Sequence, residues 1–193
     1  MNLREAQHAA KRIQSALIPF CLPGYCAIAG SVRRRKPDNI KDIEIVAISK
    51  PPRLEFGGST LPQLHKFLED EYWMGRIAAR KNSKFQNIAW GGLKFRAVYW
   101  QSQNGLLEIK LDIFIVQPQQ WGAAMAIRTG PAEFSRRLVM PKNSGGWMPK
   151  GMVQRDFCLW QNDKLLFTAT EESFFLALGL PFIQPEDRMG GIG

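Results

Sequence analysis

Residues 26–48 read C-A-I-A-G-S-V-R-R-R-K-P-D-N-I-K-D-I-E-I-V-A-I. The spacing predicts a short apolar strand, Tyr25–Ala29, entering Gly30-Ser31. A basic loop, Arg33-Arg34-Arg35-Lys36-Pro37, follows, and then a second strand, Asp42–Ile48, whose opening carries two acids. Alternation along that strand puts Asp42 and Glu44 on one face, roughly 6–7 Å apart at the backbone, with Ile43 and Ile45 on the other. A strand running into a glycine turn and a cluster of arginines offers backbone N–H and guanidinium groups, which suit a triphosphate. Carboxylates placed after such a turn are parts of phosphoryl or nucleotidyl transfer. On the D-x-E alone a solvated strand face is the commoner reading; Gly30-Ser31 and the cations before it shift the balance.

The strand predicted over Leu106–Val116 supplies the third acid. Alternation groups Glu108, Lys110, Asp112 and Phe114 against Leu107, Ile109, Leu111 and Ile113. Asp112 lies deep in an apolar run, where a lone carboxylate is costly unless paired or metal-bound. If the two strands are neighbours, Asp42, Glu44 and Asp112 converge, and three oxygen ligands suit Mg²⁺ with its remaining positions left to water and phosphate. Lys110, two residues from Asp112 on the same face, would hold that carboxylate in place. A structural Lys110–Asp112 ion pair without any metal is the plain alternative.

Around these segments, Leu3, Ala6, Ala10, Ile13 and Leu17 mark an amphipathic helix that Pro23-Gly24 stops. Gly57-Gly58 and Pro62 precede a helix near Leu64–Trp73. Leu93–Trp100 and Leu106–Val116, joined through Asn104-Gly105, read as an antiparallel hairpin. Helices follow near Gln119–Thr129, ended by Gly130, and from Pro131 to about Met140. After the loop Pro141–Gly151 come two short strands, Val153–Trp160 and Lys164–Thr168, turned at Asn162-Asp163. A last helix is capped by Thr170 and stopped by Gly179, and the tail Met189–Gly193 is expected to fray. The sum is a mixed α/β (α+β) domain over residues 1–128 and a small α+β appendage over 129–193.

Composition bounds the partners. The chain has 193 residues, 45% hydrophobic and 22% charged, which supports a folded core. Lys and Arg exceed Asp and Glu by 26 to 17, a net charge of +9 that favours a polyanionic partner. No apolar run reaches the roughly 18–20 residues of a membrane span, and the start, MNLREAQHAAKRIQ, lacks the apolar core of a signal peptide. The expectation is a protein of the cytoplasm with no membrane partner. Cys21, Cys26 and Cys158 form neither a disulfide framework nor, with His8 and His65, a zinc pattern.

The stretch A-G-S-V-R-R-R-K followed by D-I-E-I-V resembles the G-S-x-R-R…D-x-D motif of the polymerase beta nucleotidyltransferase superfamily. Residues 111–137, L-D-I-F-I-V-Q-P-Q-Q-W-G-A-A-M-A-I-R-T-G-P-A-E-F-S-R-R, resemble the family X DNA polymerase run from the third catalytic aspartate through the Thr-Gly turn to the next helix. Residues 170–188, T-E-E-S-F-F-L-A-L-G-L-P-F-I-Q-P-E-D-R, resemble that family's C-terminal subdomain. The likeness spans about residues 26–188, with little from Pro51–Trp100. It implies a nucleotidyltransferase palm with a mixed or antiparallel sheet and a thumb-type subdomain. The implied activity is DNA-directed or gap-filling polymerisation: transfer of a nucleotidyl group from a dNTP to a DNA 3′-hydroxyl with two Mg²⁺ ions, Mn²⁺ being the other metal considered, by a monomer. It implies Asp42, Glu44 and Asp112 as catalytic metal carboxylates, Asp112 nearest the 3′-hydroxyl. Gly30, Ser31 and Arg34 match triphosphate positions, Lys110 a carboxylate-orienting position, and Thr129 and Gly130 the turn under the sugar. Ser135 and Arg136 fall on the helix facing the base pair and template.

The chain also departs from that pattern. Glu44 stands for the usual second aspartate, Ser31 to Asp42 is one residue longer than is common, and Lys41 stands for a glycine. Ile127-Arg128 replaces the aromatic pair before Thr-Gly, so the sugar gate is expected to be weak. With 29 residues before Gly30, the expectation is a minimal palm-plus-thumb form without an amino-terminal lyase domain. Two other functions fit the residues: nucleotidyl transfer to a small molecule, protein or tRNA end, and a non-catalytic basic binder. The binder draws on Lys84, Phe85, Trp90, Lys94, Phe95, Arg96, Tyr99 and Trp100, whose charge and stacking would suit single strands.

Overall fold

The computed structural model describes residues 1–37, 39–53, 60–80, 94–101 and 108–188. In chain order the elements are α1 (Leu3–Leu17), β1 (Cys21–Ile28), α2 (Gly30–Arg33), β2 (Ile43–Ser49), α3 (Gln63–Trp73), β3 (Ile77–Ala79), β4 (Phe95–Gln101) and β5 (Glu108–Ile115). They continue as α4 (Trp121–Thr129), α5 (Ala132–Val139), β6 (Met152–Arg155), β7 (Cys158–Gln161), β8 (Lys164–Leu166) and α6 (Glu171–Ala177). The Gly57-Gly58 loop, the Asn104-Gly105 turn, the tail Met189–Gly193 and the Lys84, Phe85 and Trp90 part of the basic-aromatic stretch lie outside the described residues. The fold is mixed α/β, and the chain divides into two compact units. One comprises Met1–Ile28 and Pro37–Ile115, the other Ala29–Lys36 and Val116–Gly193. The expected boundary at 128/129 falls inside the second unit, because α4 packs with α5 and α6.

The first unit is built on a five-stranded sheet of order β1-β2-β5-β4-β3. β2 and β5 are parallel, and every other pair is antiparallel. The central position of β2 explains its sequence: Ile43, Ile45, Val46, Ala47 and Ile48 are all buried, and Glu44 is its half-buried exception near the start. α1 is fixed by a capping box, in which the Asn2 side chain accepts the Glu5 N–H at 3.0 Å and the Glu5 carboxylate accepts the Asn2 N–H at 3.1 Å. It buries Ala6, Ala10, Ile13 and Leu17, the stripe expected from their spacing. Pro23-Gly24, expected to end this helix, lies within β1 instead: the strand starts at Cys21, and an irregularity between Cys21 and Cys26 absorbs the proline and glycine.

The second unit carries a three-stranded antiparallel sheet, β6-β7-β8, and a core of Ala123, Ala126, Phe134, Leu138, Met148, Met152, Leu159, Phe174, Phe175 and Leu178. The single strand expected over Val153–Trp160 is two. Asp156 and Phe157 form a two-residue turn with φ of +50° and +58°, the left-handed region that tight hairpins require and that phenylalanine rarely enters. Asn162-Asp163, at +49° and +61°, turns β7 into β8 as expected. Thr170 caps α6 by accepting the Ser173 N–H at 3.1 Å. Among the described residues no helix is long and apolar enough to cross a membrane.

Candidate functional site

In the first unit the acids meet through strand register. β2 and β5 run parallel with Ile43 beside Leu111 and Glu44 beside Asp112. Glu44 and Asp112 therefore share a row and a face at about one strand spacing, roughly 4.8 Å. Asp42 precedes Glu44 by two residues on the same run, and the register places it in the row of Lys110. Like charges directly opposite each other destabilise a sheet unless cations answer them. One cation is Arg80, whose guanidinium donates to and ion-pairs with Asp112. Ala79 pairs with Val98 and Val98 with Leu111, so the residue after Ala79 runs into the row of Ala97, Asp112 and Glu44. The long arginine spans the two strand spacings. Both members are mostly buried, at 22% and 15% side-chain exposure, so the pair is shielded more than a surface ion pair.

Lys110, expected to orient Asp112, is exposed, and the orienting ion pair is Arg80's. Two residues apart on one strand, the ammonium has water as its nearer alternative, whereas Arg80 approaches across the sheet. Arg80 was invisible in the sequence because β3 is three residues long, Ile-Ala-Ala, too short for a periodic signal. Among the described residues no three or more His, Cys, Asp and Glu side chains are gathered to hold a metal ion. By register Glu44 and Asp112 are a cross-strand pair, and Asp42 stands two residues before Glu44 along the chain. That donor set fits Mg²⁺, which is bound through one or two carboxylates together with substrate phosphates and water.

On the other strand face of this unit, Arg96 is 1% exposed and lies 3.4 Å from His65 Nδ1 and 3.8 Å from Glu69. Burial, with the nearby Arg96 charge second, pushes His65 down to about 4.

The second unit holds the expected phosphate and sugar positions. Gly30 takes φ of +64° at the start of α2, which glycine adopts without strain. Ser31 is half-buried beside it. Arg34 donates to the Thr129 carbonyl. Arg33, the first of three consecutive arginines, donates to Thr129 Oγ1 at 2.8 Å and ion-pairs with Glu171. Thr129 is fully buried at the end of α4. Gly130 ends that helix in extended rather than left-handed backbone, as residues before proline do. Its lack of a side chain has a packing cause: a Cβ there would stand 2.6 Å from Phe134 Cδ1 and 2.7 Å from Ser135 Oγ.

Ser135 Oγ donates to the Ile127 carbonyl at 2.6 Å. Arg136 is exposed and ion-pairs with Glu133, its Nη2 at 2.9 Å. Ile127 packs against the unit's core, and Arg128 is half-buried on the next position of α4. Glu171 also takes Arg188 Nη1 at 2.7 Å. Arg188 is buried, donates to the Ile183 carbonyl at 3.1 and 2.9 Å, and lies over the rings of Phe175, Phe182 and Phe134 at 5.1–5.9 Å. The partners of Glu171, 138 residues upstream and 17 downstream, leave no local pattern in the sequence. The carboxylates therefore belong to one compact unit and the expected nucleotide-binding residues to the other. No protein-family model matches the chain.

Proposed function

We propose that the chain is a nucleotidyltransferase of the family X polymerase type, adding deoxynucleotides from dNTPs to a DNA 3′-hydroxyl. The observation that carries this reading is the cross-strand pair of Glu44 and Asp112 on parallel central strands, with Asp42 two residues upstream. Asp42, Glu44 and Asp112 would hold Mg²⁺, which when bound neutralises triphosphate charge and lowers the 3′-hydroxyl's hold on its proton. Arg80 keeps the Asp112 carboxylate oriented. Asp112 accepts the proton of the 3′-hydroxyl as its oxygen attacks the α-phosphorus; the bond to the β-phosphate oxygen breaks and pyrophosphate leaves. Gly30, Ser31 and Arg34 receive the triphosphate, Thr129-Gly130 the sugar, and Ser135 and Arg136 the base-pair side. The net charge of +9 supports a nucleic acid over a neutral acceptor.

Primer extension with Mg²⁺, with and without template, tests this. Asp112→Asn keeps the side chain's shape and removes its charge. It is expected to lower nucleotide addition by about 10²–10⁴-fold while the denaturation midpoint shows a folded chain. Wild-type extension by a folded Asp112→Asn protein overturns the reading, as does transfer of labelled nucleotide to tRNA or a small acceptor but not to DNA.

A further inference from the structure

The outer face of α1 is basic. With Ala6, Ala10, Ile13 and Leu17 buried, the helical period puts Arg4, His8, Lys11 and Ser15 on the opposite side and Arg12 at its edge, and all five are exposed. Glu5 is the single acid of the helix, and its carboxylate is taken up by the Asn2 N–H in the capping box. The start of the helix is held by Met1 and Ile40, which exchange both backbone hydrogen bonds at 3.0 Å, and by the Leu3 N–H, donated to the Pro37 carbonyl at 3.2 Å. This brings the exposed Lys41 to the same end of the helix. Among the described residues, Arg4, Lys11, Arg12 and Lys41 have no ion-pair partner. The cations of α3 and its turn differ: Lys66 pairs with Asp70 and Arg76 with Glu71.

The charge of the first unit is concentrated here. Fourteen Lys and Arg and ten Asp and Glu fall within that unit, and α1 with Lys41 carries three of the surplus of four. The face suits a chain of phosphates. Arg4, His8, Lys11 and Ser15 follow one another at steps of four, three and four residues, a row roughly 16 Å long. Phosphates of one DNA strand recur at about 3.4 Å along the duplex axis, so the row passes several of them. Guanidinium, imidazole, ammonium and hydroxyl groups all donate to phosphate oxygens. The same residues disfavour other partners. The apolar side of α1 is packed inside the unit, which leaves none to sink into lipid. From Asn2 to Leu17 no large apolar side chain is exposed, so a protein partner finds no anchor.

We propose that the outer face of α1 is a docking site for the phosphate backbone of DNA, bound without regard to sequence. Arg4, Lys11, Arg12 and Lys41 meet phosphates, and His8 and Ser15 donate hydrogen bonds between them. Contact with a phosphate backbone stands apart from the proposed catalysis; only the choice of DNA over RNA rests on it. A chain that extends no primer can still bind DNA here, and one that extends primers can do so without this helix.

Fluorescence anisotropy of a labelled DNA duplex, titrated with the full-length protein at several salt concentrations, tests this. Arg4→Gln with Lys11→Gln and Arg12→Gln removes three cations and keeps good helix formers. The slope of log K against log salt is expected to shrink by about 2–3, at about 0.9 per phosphate contact. Between about 50 and 200 mM salt the variant should then lose roughly 40-fold less affinity than the wild type loses. The charge-keeping set Arg4→Lys, Lys11→Arg and Arg12→Lys should bind as the wild type does. So should Lys66→Gln, whose cation is already paired. In the wild type, bound DNA is expected to slow acetylation of Lys11, read by peptide mapping, which needs no variant to fold. An unchanged slope in a folded triple-glutamine variant, or Lys11 acetylation untouched by saturating DNA, overturns the proposal. Dependence on these residues that appears with duplex RNA or phosphatidylserine vesicles and not with DNA overturns it too.

Discussion

Replacing Glu171 by alanine tests the most heavily buried charge cluster of the second unit. The carboxylate is 7% exposed and serves Arg33 and the wholly buried Arg188 together. Its removal strands the Arg188 guanidinium among Phe134, Phe175 and Phe182 with the Ile183 carbonyl as its remaining hydrogen-bond acceptor. Breaking one side of a buried pair costs about 3–5 kcal/mol, a large part of the roughly 5–15 kcal/mol that holds a domain together. Arg188→Met is expected to cost less, since Glu171 keeps Arg33 and the methionine fills apolar space between the rings. Glu171→Ala with Arg188→Met should then be more stable than the sum of the two losses, by roughly 0.5–3 kcal/mol. Urea denaturation followed by tryptophan fluorescence, with Trp73, Trp90 and Trp100 of the first unit replaced by Phe in every variant, reads the second unit, where Trp147 packs edge-on against Phe134 at 5.1 Å. If Glu171→Ala lies within about 0.5 kcal/mol of the wild type, or if the losses simply add, Arg188 does not depend on Glu171.

Gly122→Ala separates local propensity from packing: alanine favours a helix by about 1 kcal/mol, but its Cβ would stand 2.0 Å from the Thr170 carbonyl oxygen and 2.7 Å from that of Thr168. A net loss of at least about 2 kcal/mol in the denaturation midpoint is expected, and a gain would show that this backbone approach is looser than described. His65 makes stability depend on pH: its folded value near 4 lies below the unfolded value near 6.5, so between these the unfolded chain binds a proton that the folded chain does not. Stability is expected to fall as pH drops through that window, by at most about 3 kcal/mol. His65→Gln should flatten this slope relative to the wild type, and unchanged slopes would remove His65 as the cause.

Much of the first unit could be read from the chain because its signals are local. The stripe of α1, the acids opening β2 and the alternation of β5 each lie within one element, and each appears in the structure within a residue or two. The elements that escaped lacked that locality. β3 has only three residues, and the β6–β7 turn is made by Asp156-Phe157, whose left-handed backbone is imposed by the hairpin and not advertised by a glycine or asparagine. Side-chain partners escaped for the same reason. Arg80 reaches Asp112 only because three strands lie in register, and Glu171 finds Arg33 and Arg188 only once α2 and α6 have formed.

Thr129-Gly130 shows how a motif read for function acquires a second cause. Two arginines hold the threonine, one at its hydroxyl and one at its carbonyl, and the glycine is the residue on which Phe134 and Ser135 close. The Thr129 hydroxyl and the missing side chain at Gly130 therefore each have a structural use, whatever they do for a nucleotide sugar. A loss of activity on changing Thr129 or Gly130 would mix the two causes, since the fold of α4 and α5 would yield first. Ile127 is tied in the same way by its contact with the core.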